Sequence, residues 1–297
     1  FMASMNMQTK KLIRNGLPGP MTVVFDVNQQ TLEKIERIYS KHMPDLLCSD
    51  KTLGIRYPAN QIASAILARA KSAIVAPSAN PAGQSPASTV QEVLGYFEGR
   101  IDCVVEIPDS GCDYKKSSTV VKVGKEGVHI LREGAIAAQQ VNQWATIQIL
   151  FVCTGNTCRS PMAEAFCKKH FSNILGCQVD ELDSFGYIIG SAGVAAFEGS
   201  PASHNAVQVC QEHGIDLTSH RSRQLTLQDI QQSDLIFTMS QSHRARILQL
   251  LPSASQKCFA LNEKSDISDP IGMDADVYGS CFRQIQDSIL MNMDEVL

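Results

Sequence analysis

The run Cys153-Thr154-Gly155-Asn156-Thr157-Cys158-Arg159-Ser160-Pro161 puts a thiol, an arginine, a serine and a helix-opening proline close together in the chain. A cysteine attacks only as its thiolate, and three features of the run favour that form. A helix opening near Pro161 points its positive end at the loop. The backbone N–H groups of Thr154 to Arg159 can curl into an anion-binding nest. Arg159 adds a fixed positive charge. Ser160 can donate its hydroxyl to the sulfur, Gly155 lets the backbone turn sharply, and Asn156 tolerates left-handed angles and can brace the loop.

A nest that stabilises a thiolate also holds a phosphoryl group. Arg159 would grip two of its oxygens, and Cys153 would attack phosphorus to form a phosphocysteine. Water would then release phosphate. This chemistry requires no cofactor and no metal, and the sequence shows no metal-ligand cluster. The plainer alternative is a buried cysteine at a strand end beside a surface arginine. The leaving group also needs a proton. Asp269-Pro270, in a loop ahead of the last helical stretch, could supply it as an acid and recover it as a base.

The elements needed to position these groups are legible around them. Ile147 to Val152 is an apolar run of strand length. Tyr187–Ile189, Asp234–Met239 and Cys258–Leu261 are further strand candidates. Between and after them lie the helical patterns Met162–His170 (with Pro161 at the first position), His204–His213, Arg244–Leu251 and Val277–Leu290. Alternating strands and helices predict an α/β domain over 146–297, with a four-stranded parallel sheet covered on both faces. Sites in such sheets lie at the carboxyl ends of strands, where Cys153 stands.

The remainder reads as a separate mixed α/β domain over 9–136, joined by a linker at 137–145. Its strand candidates are Met21–Phe25, Ala73–Ala76, Thr119–Val123 and Val128–Leu131, and Gln61–Ala70 has helical spacing. Of 297 residues, 44% are hydrophobic and 19% charged, as in a soluble globular protein. Up to Gln140 there are 16 basic and 13 acidic residues, against 10 and 17 afterwards, within a net charge of -4. The acidic second domain is not expected to bind nucleic acid directly. With no signal peptide and no apolar run of membrane length, the expected location is the cytoplasm, away from membranes, with the 10 cysteines reduced. Cys167 and Cys210 fall on helical patterns and read as small core residues.

On Cys153 to Pro161, Ser191-Ala192-Gly193, Gly214-Ile215-Asp216, His220-Arg221-Ser222, Asp234-Leu235-Ile236 and Asp269-Pro270, the second domain resembles the low-molecular-weight protein-tyrosine phosphatase family. The resemblance implies Cys153 as nucleophile, Arg159 as phosphate clamp and Asp269 as general acid. Thr154, Gly155, Asn156, Thr157, Cys158 and Ser160 complete the loop, and a phosphorylated protein is the implied substrate. It also implies a second cysteine at Cys158 that can form a protective disulfide with the nucleophile. Ile271 and Gly272 after Asp-Pro leave a weak wall for a phenyl ring, although Phe197 can supply part of a lip. Thr157 stands where the protein arginine phosphatase-like branch has threonine, and its hydroxyl suits a guanidinium leaving group. Phosphotyrosine and phosphoarginine both stay open. An arsenate reductase of the same fold needs two further cysteines on a nearby segment, and after Ser240 the next cysteine is Cys258.

The first domain resembles the later part of the YrdC-type threonylcarbamoyl-AMP synthase family. The matching pieces include Leu17-Pro18-Gly19-Pro20, Gly54-Ile55-Arg56-Tyr57-Pro58, Ala76-Pro77-Ser78-Ala79-Asn80, Ser118-Thr119-Val120-Val121 and Leu131-Arg132-Glu133-Gly134. The resemblance implies an ATP and threonine groove lined by Arg56, Ser78, Asn80, Ser118 and Arg132. The family's opening strands and its Lys/Arg nucleotide motif have no counterpart before Leu12. Part of the sheet and of the ATP site is therefore expected to be missing, and the chain is expected to make no threonylcarbamoyl-AMP. The domain would contribute to tRNA threonylcarbamoyladenosine synthesis in a longer protein, or act here as a scaffold.

Overall fold

The structure, a computed structural model, describes residues 5–106, 116–124, 127–293 and 296. The chain divides into two compact units, one built on Thr9–Ala145 and the other on Thr146 onward together with Asn6–Gln8.

In chain order the first unit contains α1 (Met7–Gly16) from Thr9 onward, β1 (Met21–Asp26), α2 (Gln29–Ile38), α3 (Met43–Leu47), β2 (Thr52–Arg56), α4 (Gln61–Arg69), α5 (Val90–Phe97), β3 (Thr119–Gly124), β4 (Gly127–Arg132) and α6 (Ala138–Ala145). Its sheet runs β2-β1-β3-β4, with β1 and β3 parallel and the two outer pairings antiparallel. Alternate residues of the central strands, Met21, Val23, Val121 and Val123, face a core shared with Leu12, Ile136 and Val141. Trp144 packs against that core, and a Cβ added to Gly16 would lie 3.4 Å from its ring.

Two expectations for this unit are corrected. The segment 137–145 carries α6, because Val141 and Ala145 fall on one helical face and both are buried. Ala73–Ala76 forms no strand: Ile74 and Val75 are exposed and no sheet edge pairs with them. A run of four apolar residues has no ladder to join unless an open edge reaches it.

The second unit contains β5 (Ile147–Cys153), α7 (Arg159–Leu175), β6 (Tyr187–Gly193), α8 (His204–Glu212), α9 (Leu227–Gln232), β7 (Leu235–Thr238), α10 (Gln241–Leu250), β8 (Cys258–Ala260) and α11 (Ala275–Met293). The sheet order is β6-β5-β7-β8 and every pairing is parallel. Residues of β5 alternate between two cores. Ile147, Ile149, Phe151 and Cys153 join residues of α7, α8 and α11, while Leu150 and Val152 join residues of α9 and α10. This double burial explains why β5 reads as a continuous apolar run. Its neighbours β6 and β7 lie on opposite sides, so the carboxyl end of β5 is a topological switch point. Cys153 occupies it. Among the described residues no helix is long and apolar enough to cross a membrane.

Candidate active site

The loop from Cys153 to Cys158 is shaped by where its carbonyls go. Those of Cys153 and Thr154 accept from Val194 and Ala195 N–H at 2.9 and 3.0 Å. The Asn156 carbonyl accepts from His220 Nε2 at 2.8 Å, and that of Thr157 from Ser203 N–H at 2.9 Å. In planar trans peptides this turns the N–H groups of Thr154, Gly155, Thr157 and Cys158 the opposite way, as an anion nest needs. Asn156 N–H donates to Cys153 Sγ at 3.2 Å, and Ser160 Oγ lies 3.0 Å from the same sulfur.

Asn156 carries the loop's left-handed turn at φ 56 and is wholly buried. Its Nδ2 donates to Ser160 Oγ and Ser191 Oγ at 2.9 and 2.8 Å, and its Oδ1 accepts from Arg223 N–H at 2.9 Å. Ser191 in turn donates to Glu164 Oε2 at 2.6 Å, and Glu164 pairs with Lys168 one turn along α7. A side chain amide with all its polar atoms satisfied can hold the uncommon backbone angle. The sharp turn expected at Gly155 therefore falls on Asn156. A Cβ at Gly155 would meet only Thr157 Oγ1, at 3.6 Å. The close approach belongs to Gly193, where a Cβ would come within 2.4 Å of the Thr154 carbonyl oxygen.

The helix expected from Pro161 begins two residues earlier, at Arg159. Arg159 is buried and turned inward. Its Nη2 pairs with Asp269 Oδ2 at 2.5 Å and lies 3.5 Å from Thr154 Oγ1, and its Nη1 donates to the Ile267 carbonyl at 3.3 Å. The structure thus brings Cys153, Arg159, Ser160 and Asp269 together from across more than a hundred residues of chain. Cys158 caps α7, with its sulfur 3.3 Å from Ser203 Oγ and 3.2 Å from Tyr278 Oη. Burial and the Cys158 contact push the Tyr278 hydroxyl up to about 12, so it stays protonated. Burial likewise raises Cys167, and lifts Cys210 to about 12, which leaves them inert core thiols. Phe197 and Ile271 are 86% and 66% exposed. Ile271 follows Asp269 and donates its N–H to Asp269 Oδ1 at 3.3 Å.

Reading the sequence did not single out Glu164, Ser203, Tyr278 or His243. His243 lies on α10, its Nε2 2.9 Å from Thr154 Oγ1 and its Nδ1 2.7 Å from Ser240 Oγ. The available signal was Ser240 three residues ahead of it, a helix-capping spacing.

In the first unit, Arg56, Thr22, Val120 and Arg132 form one cross-strand row. Ser118 joins it through Thr22 Oγ1 at 3.0 Å and through its carbonyl, which accepts from Arg132 Nη2 at 3.0 Å. Ser78 and Asn80 lie in the loop after α4. The Asn80 side-chain NH2 donates inside that loop, to the carbonyls of Pro81 and Gln84 at 3.1 and 2.8 Å, while its buried Oδ1 has no hydrogen-bond partner among the described residues.

Residues 148–296 match the family model described as low molecular weight phosphotyrosine protein phosphatase, and residues 1–134 match one described as telomere recombination, of the Sua5, YciO and YrdC type. A protein-arginine-phosphatase of Geobacillus stearothermophilus is 37% identical over 147 residues, covering 48% of this chain and 90% of the relative. The low molecular weight protein-tyrosine-phosphatase Etp of Escherichia coli (strain K12) is 32% identical over 146 residues, covering 47% and 90%. Among solved structures, the YwlE arginine phosphatase of Geobacillus stearothermophilus aligns at 36% identity with a TM-score of 0.42, over 48% of this chain and 88% of that one. A low molecular weight protein tyrosine phosphatase of T. tengcongensis aligns at 36% identity with a TM-score of 0.45, over 50% and 99%.

Proposed function

Because the chain belongs to the low molecular weight phosphotyrosine protein phosphatase family, and is an enzyme of that kind, we propose that it hydrolyses phosphorylated protein side chains through a phosphocysteine at Cys153. The observation that carries this reading is the buried Cys153 sulfur inside the loop, with Arg159 and Asp269 paired beside it. An arriving phosphoryl group takes the place of the Asp269 carboxylate on Arg159. The sulfur attacks phosphorus, the bond to the leaving group breaks, and Asp269 in its acid form protonates the departing atom. Water then attacks the phosphocysteine, giving its proton to Asp269, and the thiolate leaves. Ser160 and the Asn156 amide stabilise that thiolate. Cys158 is the partner for a disulfide with Cys153 under oxidation.

The first substrate reading is phosphoarginine. Thr157 sets a hydroxyl in the loop, and Ile271 offers no aromatic wall beside Asp269. Phosphotyrosine is the second, favoured by the exposed ring of Phe197. Phosphoarginine and phosphotyrosine peptides, offered to one preparation with Cys153→Ser as control, test both levels. The expected result is faster turnover of phosphoarginine and none by the variant. Turnover by Cys153→Ser rejects the mechanism, and faster phosphotyrosine release rejects the substrate assignment. The first unit serves as a scaffold in this reading, since its helices α4 and α5 bury none of their own residues and leave no closed groove wall on that side. Calorimetric heat on titrating ATP into the full chain would count against that.

A further inference from the structure

We infer that His243 is a positioning residue for the phosphate clamp, holding the Arg159 guanidinium through Thr154 when Asp269 moves to the leaving group. The inference rests on Arg159 as clamp and Asp269 as acid. In the free site Nη2 of Arg159 has two protein partners, Asp269 Oδ2 at 2.5 Å and Thr154 Oγ1 at 3.5 Å. Proton transfer needs the carboxyl elsewhere, so Nη2 gives up its closer partner in the step where its aim matters most. Thr154 is what remains, and a contact that is long in the free site tightens once the carboxylate stops drawing the guanidinium away.

Thr154 is exposed at the mouth of the loop, so its hydroxyl would rotate towards water unless something fixed it. His243 fixes it. The ring is 6% exposed and held at both nitrogens, by Thr154 Oγ1 at 2.9 Å and by Ser240 Oγ at 2.7 Å. Either tautomer leaves Thr154 Oγ1 a lone pair for Arg159. Burial, and then the charge of Arg159, push His243 down to about 4 against the opposite pull of Asp269 and Asp266. The ring is therefore neutral and adds no second cation beside the guanidinium.

A merely structural His243 would cap and fill the first turn of α10. That cap runs from its backbone N–H to Ser240 Oγ at 3.3 Å, so any side chain keeps it. The test uses the full chain with p-nitrophenyl phosphate for turnover and inorganic phosphate for binding. His243→Leu and Thr154→Val are each expected to lower kcat/KM and phosphate affinity about tenfold, the double variant no further, and His243→Gln and Thr154→Ser to stay within about threefold of the parent. Losses that multiply in the double variant overturn the inference, as do unchanged kcat/KM and phosphate affinity in either single variant. Should His243→Leu fail to fold, Thr154→Val, nearly isosteric and at an exposed position, decides alone by the same two readouts. Phosphate affinity distinguishes the two levels of failure. A parent that binds phosphate but does not turn over ester rejects the phosphatase reading, while the comparison of affinities still judges His243.

Discussion

In the proposed mechanism Asp269 does two incompatible things at the residue scale: it pairs with Arg159 in the free site and must leave it to act as an acid. Asp269→Ala removes both. It is expected to slow hydrolysis by about a hundredfold or more for alkyl or guanidinium leaving groups that need a proton, and far less for p-nitrophenolate. Equal slowing across a leaving-group series would argue against an acid. His243 gives a second expectation, in stability. Its folded pKa, about 4, lies below its ordinary value of 6.5, so the unfolded chain binds more protons between those limits. Its contribution is present in full above pH 6.5 and is lost as pH falls towards 4. Urea unfolding of the parent and of His243→Gln across that window checks this. The parent should lose more stability on acidification, and parallel curves would refute it.

At the scale of elements, the loop is held against the end of β6 as firmly as by its own sequence. Gly193→Ala puts a methyl group 2.4 Å from the Thr154 carbonyl and 3.0 Å from the Asn156 amide nitrogen, both backbone atoms that cannot rotate aside. A loss of about 1–3 kcal/mol in unfolding free energy is expected, with reduced activity in the folded fraction. A fully stable, fully active variant would show that the loop can retreat. The strands of this unit were legible in sequence because each is a short apolar run closed by a turn or a helix. Cys153 and Arg159 stand out in sequence because their residue types and spacing restrict the chemistry, and Asp269 through its place in the loop after the fourth strand, since Asp-Pro by itself marks only a turn. α9 was missed, being only six residues long, although Thr226 and Asp229 form its capping box. α6 reads as a linker in sequence because Val141 and Trp144 are its main large apolar residues. The His243–Thr154 contact spans 89 positions and depends on sheet order, which no local pattern encodes.

Across the whole molecule the two units differ in how thoroughly they are packed. The second buries apolar residues on both faces of its sheet. In the first, α4 and α5 bury none, and Ile62, Ile66, Leu67, Ile74, Val75 and Leu94 are exposed around them. Segments with little buried contact open at low free energy. Limited proteolysis should therefore cut first within 58–106 and leave the phosphatase unit intact. Initial cleavage inside 147–293, mapped by mass spectrometry, would contradict this. The placement of Trp144 also has a practical consequence. It is the chain's single tryptophan, and it packs against the first unit's core. Its fluorescence on heating follows that unit, whereas residual phosphate release follows the loop at Cys153. Recording the two signals in one melt resolves the order in which the units fail, with no label and no dissection of the chain.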